Sequence, residues 1–258
     1  MKLIIGILIP FVGTTLGAAC VFFIKNEIKD WIQRALLGFA SGVMVAASVW
    51  SLLIPSIEMS NKMGRFSFVP AVLGFFLGIF FLFILDKIVP HFHLDGKVLE
   101  GPKTHLSNTA MLMLAVTLHN IPEGMAVGVV FAGITSQGDM ISMASAFALA
   151  IGIAIQNFPE GAIISLPFKS EGNSKKKSFL YGVVSGVVEP VFAGLTIAAS
   201  GIISIALPYF LSFAAGAMIF VVVEELLPEA SADNKTDICT LGFAFGFAVM
   251  MVLDVSLG

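Results

Sequence analysis

Eight stretches of roughly 20 residues, each running almost unbroken through apolar side chains, constrain this chain more than any other feature. They lie near residues 3–24, 33–58, 66–89, 106–132, 139–168, 178–200, 201–227 and 238–257. About 20 helical residues cross a bilayer core, whereas a membrane strand of about 10 residues would alternate apolar and polar side chains. The expected fold is therefore all-α: a polytopic membrane protein of eight transmembrane helices in a bundle, one transmembrane domain over residues 1–258. The connections are too short for a soluble domain. Composition agrees, with 57% hydrophobic and 12% charged residues against about 25% charged in soluble domains. Two cysteines exclude a disulfide scaffold, and 14 Lys+Arg against 17 Asp+Glu leave no basic surface for nucleic acid. Lys25-Asn26-Glu27 follows the first stretch with no small-residue cleavage site, so that stretch is expected to be a retained helix and not a signal peptide.

Basic residues accumulate in cytoplasmic loops and so give the orientation. With the N-terminus outside, the inner side holds Lys25, Lys29, Arg34, Lys87, Lys97, Lys103, Lys169, Lys175, Lys176, Lys177 and Lys235, and the outer side only Lys2, Lys62 and Arg65. Both termini are expected outside, with the loop near 90–105 in the cytoplasm. Cys20 and Cys239 then fall on the cytoplasmic side as reduced thiols. Trp31, at the start of the second stretch, has the position of an interfacial anchor. Glycines four apart (Gly13/Gly17, Gly74/Gly78, Gly124/Gly128, Gly182/Gly186, Gly242/Gly246) read as helix-packing seams.

The informative residues are ionisable groups in the middle of apolar stretches. His119 and Glu123 sit halfway along the fourth stretch, Glu160 near the middle of the fifth and Glu189 halfway along the sixth. Each costs about 2.5–3.5 kcal/mol to insert unless it lines a cavity or finds a partner, and snorkelling helps only near helix ends. The segment His119-Asn120-Ile121-Pro122-Glu123-Gly124 is echoed by Gln156-Asn157-Phe158-Pro159-Glu160-Gly161. At about 100° per residue, His119, Asn120 and Glu123 share one helix face, as do Gln156, Asn157 and Glu160. Pro122 and Pro159 free the carbonyls of Leu118 and Ile155, which a membrane helix tolerates beside a cavity or a polar neighbour. An odd number of crossings separates the motifs, so they run in opposite directions, an inverted-type pairing of the fourth and fifth helices.

A divalent cation neutralises buried carboxylates and fills their lone pairs, with His119 as a nitrogen ligand. Carboxylates with imidazole suit Zn2+, Fe2+, Mn2+ or Cd2+ better than Mg2+ or Ca2+. Met44 of the second stretch can add a soft sulfur, though Met is also ordinary core filler. A lone buried His or Glu serves equally as a hydrogen-bonded strut, and amides such as Asn120, Gln156 and Asn157 are common glue between helices. The repeated spacing together with Glu189 favours the metal site.

At these residues the sequence resembles the ZIP family of divalent-metal transporters, particularly its bacterial GufA-like branch. The resemblance covers the eight stretches, both x-N-x-P-E-G motifs, Ser41-Gly42-Val43-Met44-Val45-Ala46-Ala47-Ser48 in the second stretch, and Asp86-Lys87-Ile88-Val89-Pro90-His91-Phe92-His93 after the third. It implies a midplane site for one ion or two. Its primary shell would be His119, Glu123, Gln156, Glu160 and Met44, and its neighbouring site Asn120, Asn157, Glu160 and Glu189. The chain departs from the pattern in the fifth stretch, where many members carry His at the position of Gln156 and some carry Asp at that of Asn157.

The expected function is transport of Zn2+, or of Cd2+, Fe2+ or Mn2+, across the cytoplasmic membrane toward the cytoplasm, with the bilayer as solvent and a homodimer as the implied assembly. Candidate pathway residues are Asp86, His91, His93, His105, Glu224, Glu225, Glu229, Asp233 and Asp237 on the inner side, with Asp254 and Glu58 on the outer. Metal entry is expected to displace protons from the carboxylates. A membrane metal sensor without flux is the alternative. An intramembrane metallohydrolase is disfavoured, since no H-E-x-x-H motif occurs and the three other histidines lie in loops. No enzymatic activity and no catalytic cofactor are expected.

Overall fold

The computed structural model describes residues 1–24, 28–89, 91–92, 99–100, 107–136, 141–199, 206–231 and 237–257. Among them, eight helical spans are long and apolar enough to cross a membrane. They are α1 (Lys2–Phe22), α2 (Asp30–Met59), α3 (Phe68–Ile88), α4 (Thr109–Ile134), α5 (Met143–Ser170), α6 (Lys175–Ala198), α7 (Leu207–Ala230) and α8 (Ile238–Leu257). Beyond helices, the described residues hold one antiparallel ribbon of two-residue strands, β1 (His91–Phe92) with β2 (Leu99–Glu100).

Local chemistry sets the helix ends. Ser142 and Ser174 accept the backbone N–H groups of Ser145 and Lys177, capping α5 and α6. The Ser174 cap starts α6 at Lys175, three residues before the apolar run, so Lys175–Lys177 lie in the first helical turn. Lys169 and Lys175 donate to the carbonyls of Ile24 and Phe22, both at 2.8 Å, placing cations at the carbonyl end of α1. Pro55 and Pro228 have another effect. Each lacks an N–H, which strips the carbonyl four residues earlier, Ser51 or Glu224, of its helical partner. The turns just before them widen into π-helix at Ser48–Leu53 in α2 and Val222–Leu226 in α7.

The paired glycines are packing seams. Gly13 and Gly17 bring α1 against the backbone of Ala154 and Phe158 in α5, and Gly124 and Gly128 bring α4 against Glu189 and Ala193 in α6. Gly74 and Gly78 meet Tyr209 and Phe213 of α7, Gly242 and Gly246 meet Ala35 and Phe39 of α2, and Gly182 and Gly186 receive Ala18 and Thr14 of α1. These seams tie α1, α4, α5 and α6 into one group and join α2 to α8 and α3 to α7 in the other. The main apolar core lies between the groups, built from residues such as Val43, Leu52, Val130, Leu149, Ile153, Leu211 and Met218. There Gly152 meets the Met250 thioether and not a backbone. The outward faces of α3 and α8, with Phe76, Phe80, Leu241, Phe245 and Val255, are exposed and apolar, as a lipid-facing surface requires.

Adding a side chain to a seam should destabilise the bundle, and adding one to open helix surface should not. Gly78→Leu, which drives a side chain into the Phe213 carbonyl, is expected to cost at least the ~1–3 kcal/mol typical of overpacking. Gly194→Ala, where nothing lies within 4 Å, should not lower stability and gains up to about 1 kcal/mol of helix propensity. Thermal denaturation of the detergent-solubilised protein distinguishes the two.

Candidate metal centre

The two motifs lie on α4 and α5, helices that continue through Pro122 and Pro159. Asn120, Glu123, Gln156, Asn157 and Glu189 are completely buried, and Glu160 and His119 retain only 4% and 6% exposure. The glycine ending each motif is part of the construction. Gly124 admits the α6 backbone at Glu189, and Gly161 admits the α1 backbone at Thr14. The seams therefore draw the carboxylates together: Glu123 interacts electrostatically with Glu160 and Glu189, and Glu160 with His119.

Each candidate is only partly satisfied. Gln156 Nε2 donates to Glu123 Oε1 at 2.5 Å, Thr14 Oγ1 donates to Glu189 Oε1 at 2.7 Å, and Asn120 Nδ2 donates to the Ser185 carbonyl at 3.1 Å. Seven buried carboxylate and amide atoms of these motifs and Glu189 lack a partner in good hydrogen-bond geometry: Asn120 Oδ1, Glu123 Oε2, Gln156 Oε1, both side-chain polar atoms of Asn157, Glu160 Oε2 and Glu189 Oε2, with the Asn157 amide close enough to Glu123 and Glu189 to interact with both. Native interiors seldom tolerate such atoms, each costing about 1–3 kcal/mol, so a cluster of six oxygens and one amide nitrogen points to an electropositive guest. Carboxylate and amide oxygens could hold a divalent cation, with an imidazole within electrostatic reach.

Among the described residues, no three His, Cys, Asp or Glu side chains form a ready metal-binding group. The amides carry part of the donor set, and His119 is engaged elsewhere. Its Nε2 lies 2.5 Å from Glu225 Oε2. Glu225, expected in an inner collar, instead reaches the motif histidine from the π segment of α7, where it is buried while neighbouring Glu224 is exposed. Met44 is fully buried in the main apolar core.

From this centre a narrow cavity of about 20 Å³, room for roughly one water, runs between His119, Glu160, Glu225 and Glu229. Glu229 accepts from Gln33 Nε2 at 3.3 Å, and Gln33 also borders a second cavity of about 450 Å³ with Asp30, Thr109 and Glu171. Thr109 hydrogen-bonds Glu171. Asp86 is buried at the end of α3, 3.6 Å from Lys87. At the opposite end of α2, the π-segment hydroxyl of Ser51 hydrogen-bonds buried Asp254 of α8, while Glu58 is exposed. Asp237 is exposed at the start of α8. His91 belongs to β1 but its side chain lies outside the described residues, as do His93, His105 and Asp233. Sequence reasoning missed Thr14, Gln33, Asp30, Glu171 and Ser51. Thr14 carried a signal, being polar within an apolar helix, whereas the others resemble ordinary helix-end or loop residues.

The fold and this centre together define a polytopic membrane protein whose buried polar groups converge between three of its helices. Residues 96–254 match the model of the ZIP zinc transporter family, and the chain belongs to that family. It is 36% identical to zinc transporter ZIP11 of Xenopus tropicalis, covering 100% of this chain and 98% of that protein. It is 33% identical to zinc transporter GufA of Myxococcus xanthus, over 99% and 98% of the two chains. Zinc transporter ZIPB of Bordetella bronchiseptica is 36% identical over 96% of this chain and 79% of its own length.

The Gln156–Glu123 contact gives a direct test. Gln156→Leu leaves Glu123 Oε1 buried without its donor and should cost about 1–3 kcal/mol of stability. Gln156→Glu sets two carboxylates against each other, and its denaturation temperature should recover on adding Cd2+ or Zn2+, whereas that of Gln156→Leu recovers far less.

Proposed function

We propose that this protein carries divalent transition-metal cations, Zn2+ foremost and Cd2+, Fe2+ or Mn2+ as competitors, across the cytoplasmic membrane toward the cytoplasm. The observation that carries this reading is the cluster of unpartnered polar atoms on Asn120, Glu123, Gln156, Asn157, Glu160 and Glu189, buried beside one another. An ion entering there exchanges its hydration shell for carboxylate and amide oxygens, in one position or two adjacent ones. His119 leaves Glu225 to join it, and Met44 supplies a sulfur from the facing helix group. Release follows the acidic line through Glu225 and Glu229 toward the cavity bordered by Asp30 and Glu171. On the α5 side two of the three donors, Gln156 and Asn157, are neutral amides beside the carboxylate of Glu160, which keeps binding weak enough for release. The chain acts as a carrier and not as an enzyme, with the metal as its cargo.

The orientation follows the basic residues: both termini outside, Asp254 and Glu58 toward the side of entry, and Asp86, Glu225, His91 and His93 toward the side of exit. The motif segments of α4 and α5 then run in opposite directions through one depth, and the assembly is a homodimer. Protons compete with the ion for the same carboxylate oxygens, so apparent affinity rises as pH rises and binding releases protons. Calorimetry in two buffers of different protonation enthalpy should give different apparent heats, and equal heats would remove the proton linkage.

Flux is the decisive measurement. Proteoliposomes carrying the wild type should take up Zn2+ or Cd2+, and Glu123→Gln or Glu160→Gln should lower uptake at least about tenfold, as expected when a buried charged ligand is lost. Tight binding without flux would make the protein a sensor. Orientation is checked in a variant with Cys20 and Cys239 replaced by Ser. A thiol introduced at Asn61 should react with an impermeant reagent on intact cells, and one at Ser174 only after permeabilisation.

A further inference from the structure

Thr14 sits in the middle of α1, a helix that contributes no residue to the metal shell described above. It is completely buried, and its hydroxyl has two acceptors in range: the Pro10 carbonyl at 3.5 Å and Glu189 Oε1 at 2.7 Å. The second is short and joins residues 175 apart in sequence. The other oxygen, Glu189 Oε2, is buried and meets no donor in good hydrogen-bond geometry, the Asn157 amide being the other polar group that interacts with this carboxylate. The surroundings fix this geometry. A Cβ on Gly161, the residue after Glu160, would run into the Thr14 backbone, and a Cβ on Gly186 would stand 2.9 Å from Thr14 Cβ and 3.2 Å from Glu189 Oε1. Two glycines, one directly after Glu160 and one three residues before Glu189, thus leave a socket that Thr14 fills.

We infer that Thr14 is a positioning residue of the metal centre: its hydroxyl holds Glu189 Oε1, so that Oε2 is presented to the cation. This rests on the transport reading. A carboxylate on a flexible side chain samples several rotamers, and clamping one oxygen by a buried, charge-assisted hydrogen bond restricts it to those that aim the other oxygen one way. The role requires the hydroxyl and not the methyl, and it acts through Glu189 alone. Those two conditions separate it from simple packing between α1 and α6.

The test uses the full chain, with Cd2+ binding measured by calorimetry in detergent and Cd2+ uptake measured in proteoliposomes. Thr14→Val, which keeps shape and deletes the hydroxyl, should raise Kd and KM about tenfold, the loss of one hydrogen bond to a charged group, while maximal uptake stays within about twofold. Thr14→Ser should restore both constants to near the wild-type values. In a Glu189→Ala background, which has no acceptor for the hydroxyl, Thr14→Val should weaken binding no further. If Thr14→Val fails to fold, Thr14→Ala deletes the hydroxyl without adding volume and takes its place. The inference is overturned if Thr14→Val binds like the wild type, if Thr14→Ser is as damaged as Thr14→Val, or if the loss persists undiminished with Glu189→Ala. A wild type that binds Cd2+ without moving it removes the transport reading yet leaves the calorimetric test of Thr14 in force; a wild type that does neither overturns both.

Discussion

Three buried carboxylates on α4, α5 and α6, Glu123, Glu160 and Glu189, feel one another's charge in the interior of the bundle, and the rest of the structure is arranged around that electrostatic constraint. Coulomb repulsion between like charges is several-fold stronger in such a medium than in water. Glu123 and Glu189 each have one oxygen held, by Gln156 and Thr14 respectively. A second oxygen on each, like Glu160 Oε2, stays open. A polar network satisfied on one side only is costly for a structure, and in the proposed carrier that deficit is what an incoming cation would make good.

The glycine seams explain how those groups come so close. In lipid there is little hydrophobic gain when helices meet, so approach depends on removing side chains from the contact. The x-N-x-P-E-G motif encodes both needs in adjacent residues, a carboxylate followed by the glycine that lets the next helix touch at that level. Gly124 brings in Glu189, and Gly161 brings in Thr14. The α2–α8 and α3–α7 seams perform the same packing away from the carboxylates, which leaves those helices as the frame against which the polar group is seated.

The two π segments give the frame its polar contacts. Each precedes a proline, and each carries a residue that bonds across the bundle: Ser51 to Asp254 from α2, and Glu225 to His119 from α7. A widened turn re-aims side chains that a regular helix would point elsewhere. In α7 it leaves Glu224 exposed and Glu225 buried.

The sequence by itself determined that this chain has eight stretches able to span a membrane and marked His119, Glu123, Glu160 and Glu189 as the ionisable groups in the middle of them, because apolar run length and the cost of a buried charge are properties of a segment and need no knowledge of its neighbours. The same reasoning found the glycine pairs, since four-residue spacing already defines a helix face. Which helix each face meets was a tertiary matter. So were the pairing of His119 with Glu225, the donation from Thr14 to Glu189, and the line from Glu229 to Gln33. These contacts join residues far apart in the chain, and Thr14, Gln33 and Ser51 carry no charge whose burial would have marked them. Helical periodicity gives a residue's face, but only the packed bundle gives its partner.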